Sequence, residues 1–110
     1  MFFLIIQLKE ERYMEDILLA MTDVGIQNAI IQNAVDMSST MAFDIPIFAG
    51  FREEFGKRKT YSKVIWALVE NEDAPEKLLK ALQDSDVKFI KDEIGKMVLL
   101  PVLKIIGPEE

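Results

Sequence analysis

Residues 63–82 read KVIWALVENEDAPEKLLKAL, a strand pattern that passes directly into a helix pattern. The run from Lys63 to Glu70 is apolar and rich in β-branched and aromatic residues, which favours a strand. Asp73 is placed to cap the helix that follows, with Pro75 in its first turn and Glu76 three residues after the cap. This stretch predicts one strand–helix unit, and the apolar stripe of its helix comprises Leu78, Leu79 and Leu82.

The same pattern occurs earlier in the chain. Phe2 to Leu8 (FFLIIQL) is too short for a buried helix and predicts a strand. A helix follows it, because apolar residues recur at helical spacing and Gly25 supplies a left-handed stop. Ala29 to Val35 predict the second strand, and Met97 to Ile106 predict the last one. The stripe of the first helix consists of Tyr13, Met14, Ile17, Leu18, Met21 and Val24.

Two strand–helix–strand halves of this size predict an α+β fold, a ferredoxin-like βαββαβ sandwich. In that fold a four-stranded antiparallel sheet carries both helices on one face. A chain of 110 residues is long enough for one hydrophobic core and too short for two. We therefore expect a single domain over residues 1–110, with a long loop between the second and third strands.

Three of the predicted strands lack the polar–apolar alternation of a sheet that is wet on one side. The runs are Phe2–Ile6, Val64–Val69 and Met97–Leu100. Two helices cover only one face, so the second apolar face needs another cover, and we expect several copies to pack their sheets together. The alternative is that strand centres are apolar simply because sheets lie in cores.

The composition excludes several classes of function. The chain has no Cys and no His, so a disulfide, a Cys/His zinc site, a thiol nucleophile and an imidazole base are all ruled out. We accordingly assign no catalytic residue and no metal ligand. A net charge of −6 disfavours nucleic acid as a partner. The first residues lack a positively charged leader and the length of a spanning helix, so we expect a cytoplasmic protein that is not membrane-embedded.

The segment between the second and third strands, residues 37–61, is unusually long (MSSTMAFDIPIFAGFREEFGKRKTY). Connections of this length are generally functional or disordered. Its many large apolar residues favour docking on its own subunit, on a neighbour or on a partner. Within residues 51–63 cations also outnumber the acidic Glu53 and Glu54, which indicates a small anion or an acidic partner surface, with a solvated loop as the alternative. These cations are Arg52, Lys57, Arg58, Lys59 and Lys63.

Residues 94–102 (IGKMVLLPV) resemble a motif of the PII signal-transduction proteins, the nitrogen regulatory P-II family. Gly95, Lys96, Pro101 and Val102 fall on matching positions of that motif. A first helix that ends in DVGIQ and a long loop after the second strand extend the likeness over the whole chain. The sequence is thus identified as similar to a divergent, PII-like member of this superfamily.

The resemblance implies a homotrimer that binds an adenine nucleotide, AMP, ADP or ATP, in clefts between its subunits. It also implies a signalling protein, in nitrogen regulation for the family, whose 37–61 loop acts on a target enzyme or membrane transporter. Asp92 and Glu93 depart from the family by placing negative charge where phosphates would lie. The candidate ligand contacts are Lys91, Gly95 and Lys96 of one subunit and Met37, Ser38 and Ser39 of another, with Arg52, Arg58 and Lys59 reaching either ligand or target.

Three other functions fit the same fold. A structural or metal-tolerance trimer similar to the CutA proteins would bind no nucleotide, although those proteins have a shorter connection between the second and third strands. An acylphosphatase-like enzyme needs an Arg-bearing oxyanion loop after the first strand, where this chain has LysGluGluArg and then a helix. An RNA-binding sheet would expose Phe2, Phe3 and Trp66, but the acidic net charge opposes it.

Overall fold

The computed structural model describes residues 1–37, 40–41 and 61–108. Four strands form one sheet in the order β2-β3-β1-β4, and every neighbouring pair is antiparallel. Together with the two helices this confirms the predicted α+β, ferredoxin-like arrangement. In chain order the elements are β1 (Phe2–Leu8), a 3-10 turn (Glu11–Tyr13), α1 (Met14–Asp23), β2 (Ala29–Val35), β3 (Tyr61–Val69), α2 (Ala74–Asp84) and β4 (Gly95–Pro101).

The core lies between the helices and one face of the sheet. Every second residue of β1, from Leu4 to Leu8, is completely buried, whereas the residues between them are partly exposed. The helices contribute their predicted apolar stripes, because Ile17 and Met21 of α1 are buried with Leu78 and Leu82 of α2. Buried residues thus recur at every second position in the strand and about one turn apart in the helices, as expected when each element packs on one side only.

The last strand differs from its predicted bounds. It runs from Gly95 to Pro101 and not from Met97 to Ile106. It begins earlier because Gly95 pairs with Leu8 at the end of β1, and it ends at Pro101, which pairs with Phe2 at the start of β1. The following residues have no partner strand within the described part of the chain, so their apolar character alone does not extend the ladder. The third strand likewise covers Tyr61–Val69 instead of Lys63–Glu70.

The predicted side-chain cap of α2 is not formed. Asp73 occupies the N-cap position, but its φ of −87° and ψ of 9° differ from the extended backbone of a capping residue, and its side chain makes no capping hydrogen bond. Its carboxylate lies instead 3.6 Å from the ammonium group of Lys77, one turn further along the helix. This exposed pair contributes little to stability.

Both helices end in the Schellman geometry. In α1 the N–H of Ile26 donates to the carbonyl of Met21 over 2.8 Å, and Gly25 has the left-handed φ of 87° that was predicted for it. In α2 the N–H of Val87 donates to the carbonyl of Leu82 over 2.8 Å. The left-handed position there is held by Asp86, with a φ of 61°.

Replacing Asp86 with glycine is expected to raise the free energy of unfolding by about 1 kcal/mol. A residue with a Cβ is strained in the left-handed region, and this strain outweighs the extra entropy that glycine brings to the unfolded chain. Urea unfolding of the two proteins measures the difference. The same change at exposed Asp84, the last residue of α2, serves as control and is expected to lower stability by only about 0.3 kcal/mol, the difference in helix propensity between aspartate and glycine. A destabilised Asp86→Gly protein would contradict the assignment of strain.

Candidate functional site

The sheet has a second face that neither α1 nor α2 covers, which we call the open face. Because side chains alternate along a strand, the residues between the buried positions of β1 point to it, namely Phe3, Ile5 and Gln7. The residues that pair with these across the sheet point to the same face. The predicted second apolar face is present, and its apolar patch consists of Phe3, Ile5, Ile30, Trp66, Leu68, Val98 and Leu100.

The apolar patch forms two rows across the sheet. In the first row Trp66 pairs with both Ile30 and Ile5, and Ile5 pairs in turn with Val98. In the second row Phe3 pairs with Leu68 on one side and Leu100 on the other. Ile30 is 66% exposed, Leu100 46% and Val98 39%. A contiguous apolar surface that spans all four strands is unusual for a monomeric protein and is typical of an interaction site.

Aromatic side chains form the middle of the apolar patch. The rings of Phe3 and Trp66 are tilted by 37°, with their centroids 5.3 Å apart, which is a favourable aromatic geometry. The indole N–H of Trp66 is shielded from solvent and has no hydrogen-bond partner among the described residues. A shallow cleft of about 800 Å³ borders this pair and is lined on its other side by Ile30 and Gln32.

A polar row follows at one end of the open face. There Lys96 pairs with Gln7, Gln7 with Val64, and Val64 with Gln32. We call this the loop end of the sheet, because β1 and β2 finish there while β3 and β4 begin. Lys96 is exposed and forms no ion pair with any residue in the described part of the chain. An ammonium group beside the side-chain amide of Gln7 is suited to bind an anion or a polar group, and Gln32 lies at the opposite edge of the same row.

The candidate ligand residues fall at this loop end wherever the structure describes them. Gly95 and Lys96 are the first residues of β4, Lys91 is exposed in the turn before it, and Met37, 77% exposed, follows β2 closely. Just beyond β2, the N–H of Thr40 donates to the carbonyl of Asp36 over 3.0 Å. The other candidates, Ser38, Ser39, Arg52, Arg58 and Lys59, lie outside the described residues, as does most of the 37–61 segment.

One chain does not bring these candidates together. Met37 follows β2 and Lys96 lies in β4, and these two strands form opposite edges of the sheet. Three strand spacings separate them, or about 14 Å. A single small ligand that contacts both places therefore needs the β2 edge of one copy beside the β4 edge of another.

Gly95 has a structural role in addition to its place in the motif. A Cβ built on it would collide with the carbonyl oxygen of Gln7 and would lie 3.1 Å from the carbonyl carbon and 3.2 Å from the Cα of Leu8. Only glycine allows this approach of the backbone of β4 to β1.

Lys63, one of the cations assigned to the basic cluster of the long connection, is engaged within its own chain. It lies on the helix-covered side of the sheet, where it pairs with Leu8 across the ladder. Its ammonium group is 3.4 Å from a carboxylate oxygen of Glu11 and donates a hydrogen bond to the side-chain oxygen of Asn33. Only a quarter of the Lys63 side chain is exposed, so it is not a cation that an external anion would meet first.

Two common kinds of site, a metal site and a membrane span, are not found among the described residues. No group of three or more Asp or Glu side chains among them could hold a metal ion. Within the same residues, no helix has the length and apolar character needed to cross a membrane. The candidate site therefore consists of the open face, with its apolar patch and polar row, and the loop end that borders it.

Comparisons with known proteins add no family to this description. No protein-family model matches the chain, and no curated protein matches its sequence.

Proposed function

We propose that the chain is a cytoplasmic, PII-like regulator: a homotrimer that binds an adenine nucleotide between its subunits and acts on a target protein through residues 37–61. The observation that carries this proposal is the open face, where an uncovered apolar patch lies next to a polar row at the loop end. The sequence resemblance supplies the number of copies and the class of ligand.

The apolar patch supports the assembly. Neither α1 nor α2 lies over its two rows, and full burial of one large aliphatic side chain contributes about 1.5–3 kcal/mol. Packing the open faces of three copies around a common axis removes the patch from water in every copy at once. The polar row would then lie at the rim of the packed region, where the residues named for ligand binding remain accessible.

The separation of the candidate residues supports a site between subunits. Lys96 and Lys91 belong to one side of such a groove, and the loop base after β2 belongs to the other. A ligand in the groove would contact the start of the 37–61 segment directly. Ligand binding can then change the conformation of that segment, provided that the ligand binds its two conformations with different affinity. The target, an enzyme or a membrane transporter, would bind the segment in one of these two conformations.

The charges around the groove limit how many phosphates it can hold. Asp92 and Glu93 are exposed in the turn that leads to Lys96, and neither forms an ion pair among the residues described. Their negative charge opposes that of a polyphosphate. We propose that the nucleotide with fewer phosphates binds more tightly, in the order AMP, ADP, ATP.

We expect a matching adenine nucleotide to raise the midpoint of thermal unfolding and replacement of Lys96 with alanine to abolish the rise. A ligand at 100 times its Kd stabilises the folded state by about 2.7 kcal/mol, or about 10 °C for a chain of this size. Differential scanning calorimetry with AMP, ADP and ATP measures this shift. Lys80→Ala removes an equally exposed lysine from α2 and is expected to keep the full shift.

A chain that assembles but responds to none of the three nucleotides would contradict the proposed ligand. The proposal would then reduce to a structural trimer of the CutA kind, which requires only the apolar patch. An equal loss of the shift in Lys80→Ala and Lys96→Ala would contradict the placement of the groove at the loop end.

A further inference from the structure

We propose that the cleft beside Trp66 binds an uncharged, planar aromatic molecule that carries a carbonyl group. We call this place the tryptophan cleft. It lies on the β2 side of the open face, where Phe3, Ile30, Gln32 and Leu68 line it together with Trp66. The proposed site belongs to the single chain, so it depends neither on the nucleotide nor on the number of copies.

The walls of the tryptophan cleft are largely aromatic and aliphatic. Its volume of about 800 Å³ is within the usual range for sites that hold a small organic molecule. The rings of Phe3 and Trp66 form one side, and Ile30, which is 66% exposed, stands on the other. An aromatic wall opposite an aliphatic one favours a flat, apolar ligand that stacks against a ring.

The polar groups around the tryptophan cleft are uncharged. Gln27 and Asn28, in the connection before β2, and Gln32 within β2 supply three side-chain amides. None of the described residues that line the cleft is acidic or basic. An ionised ligand would give up hydration there without meeting an opposite charge, so we expect the ligand to be neutral.

The indole of Trp66 indicates which polar group the ligand carries. Its N–H is shielded from solvent, and no described residue accepts a hydrogen bond from it. A buried donor without an acceptor is unfavourable, and the indole can only donate. A carbonyl oxygen on a molecule in the cleft would supply the acceptor after a small rotation of the ring. This is the reason for choosing a carbonyl compound over a plain aromatic hydrocarbon.

The tryptophan cleft belongs to the face that the proposed trimer buries. A molecule in the cleft occupies surface that a second open face would contact, so ligand binding and assembly exclude each other. Ligand binding therefore favours the single chain, by an amount that grows with the ratio of ligand concentration to Kd. This consequence rests on the assembly proposed above, whereas the site itself does not.

Equilibrium dialysis with prodan, an uncharged naphthalene that carries a propionyl group, tests the site. The protein used is Val98→Asp, which places a carboxylate in the apolar patch and is expected to keep the chains apart. Val98 lies in β4, two strands away from Trp66, and does not line the cleft. We expect saturable binding to this variant and at least tenfold weaker binding to the unchanged, assembled protein.

Two further substitutions in the Val98→Asp protein locate the bound probe. Ile30→Asp places a carboxylate in the cleft and is expected to weaken prodan binding at least tenfold. Its matched control, Leu19→Asp, changes an aliphatic residue of α1 that is 59% exposed and is expected to leave binding unaltered. Trp66→Phe keeps an aromatic wall but removes the N–H. We expect it to weaken prodan about fivefold and to leave unaffected dimethylaminonaphthalene, the same ring system without the carbonyl.

The possible results separate the parts of the proposal. Absence of saturable binding to Val98→Asp, or binding that Ile30→Asp does not weaken, would overturn the site. Equal losses for both probes in Trp66→Phe would disprove the hydrogen bond from the indole. Equally tight binding to the assembled protein would disprove the competition with assembly. An unchanged protein that sediments as a single chain and binds prodan would refute the trimer and support the tryptophan cleft.

Discussion

Replacing Val98 with aspartate is expected to convert the proposed trimer into single, folded chains. Val98 lies at the end of the first apolar row, next to Ile5, and is already 39% exposed in the single chain, so a carboxylate there remains in contact with water. In the packed assembly the same carboxylate would be buried without a partner. Such a charge costs about 3–5 kcal/mol, and every copy would carry one. Sedimentation velocity measures the change in mass.

The control for this variant is Leu19→Asp. It makes a comparable change, an exposed aliphatic residue to aspartate, on the outer side of α1, away from the open face. Its sedimentation is expected to match that of the unchanged protein, and circular dichroism is expected to show both variants folded. An unchanged protein that sediments as a single chain at micromolar concentration would refute the assembly. So would a Val98→Asp protein that stays trimeric.

Replacing Gly95 with alanine is expected to lower the free energy of unfolding by about 3 kcal/mol, the upper part of the usual range for overpacking. The added methyl group would occupy the position of the Gln7 carbonyl oxygen, and backbone atoms cannot rotate away as a side chain can. Strand β4 would have to move away from β1 at the loop end. Urea unfolding, followed by the fluorescence of Trp66, measures the loss.

The control is Lys96→Ala at the next position. It alters the same 94–102 motif but places no atom between β4 and β1. Lys96 is exposed, so its removal is expected to change stability by less than about 0.5 kcal/mol. A Gly95→Ala protein as stable as Lys96→Ala would contradict the close approach of the two strands. The pair also shows why Lys96 is the better probe of ligand binding: a Gly95 variant would lose the shape of the loop end together with any contact to a ligand.

The bounds predicted for the first two strands are the observed ones. Phe2–Leu8 is followed by charged residues, and Ala29–Val35 starts soon after the left-handed Gly25, so local signals delimit both. The last strand is different, because nothing in residues 102–106 (VLKII) separates it from the apolar residues before Pro101. Its end depends on where β1 begins, and that is a property of the register between strands far apart in the chain.

The candidate site likewise has one part that local sequence patterns predict and one part that depends on pairing between distant strands. The missing alternation in β1, β3 and β4 predicts the apolar open face, because period 2 can be read from a single sequence. The polar row could not be predicted, since Gln7 becomes a neighbour of Lys96, and Gln32 joins the same row, only through three strand pairings. The contacts of Lys63 could not be predicted for a related reason: its partners Glu11 and Asn33 lie far from it in the sequence.

The central position of β1 has a consequence for how the protein folds. This strand is made before both of its neighbours, β3 and β4, and Phe2 is separated from its partner Pro101 by 98 intervening residues. Pairings so distant along the chain are slow to form, because a large loop must close before any of its contacts is gained. During synthesis the FFLIIQL strand would thus emerge from the ribosome long before either of its neighbours exists, and it is the element for which a chaperone would be most useful.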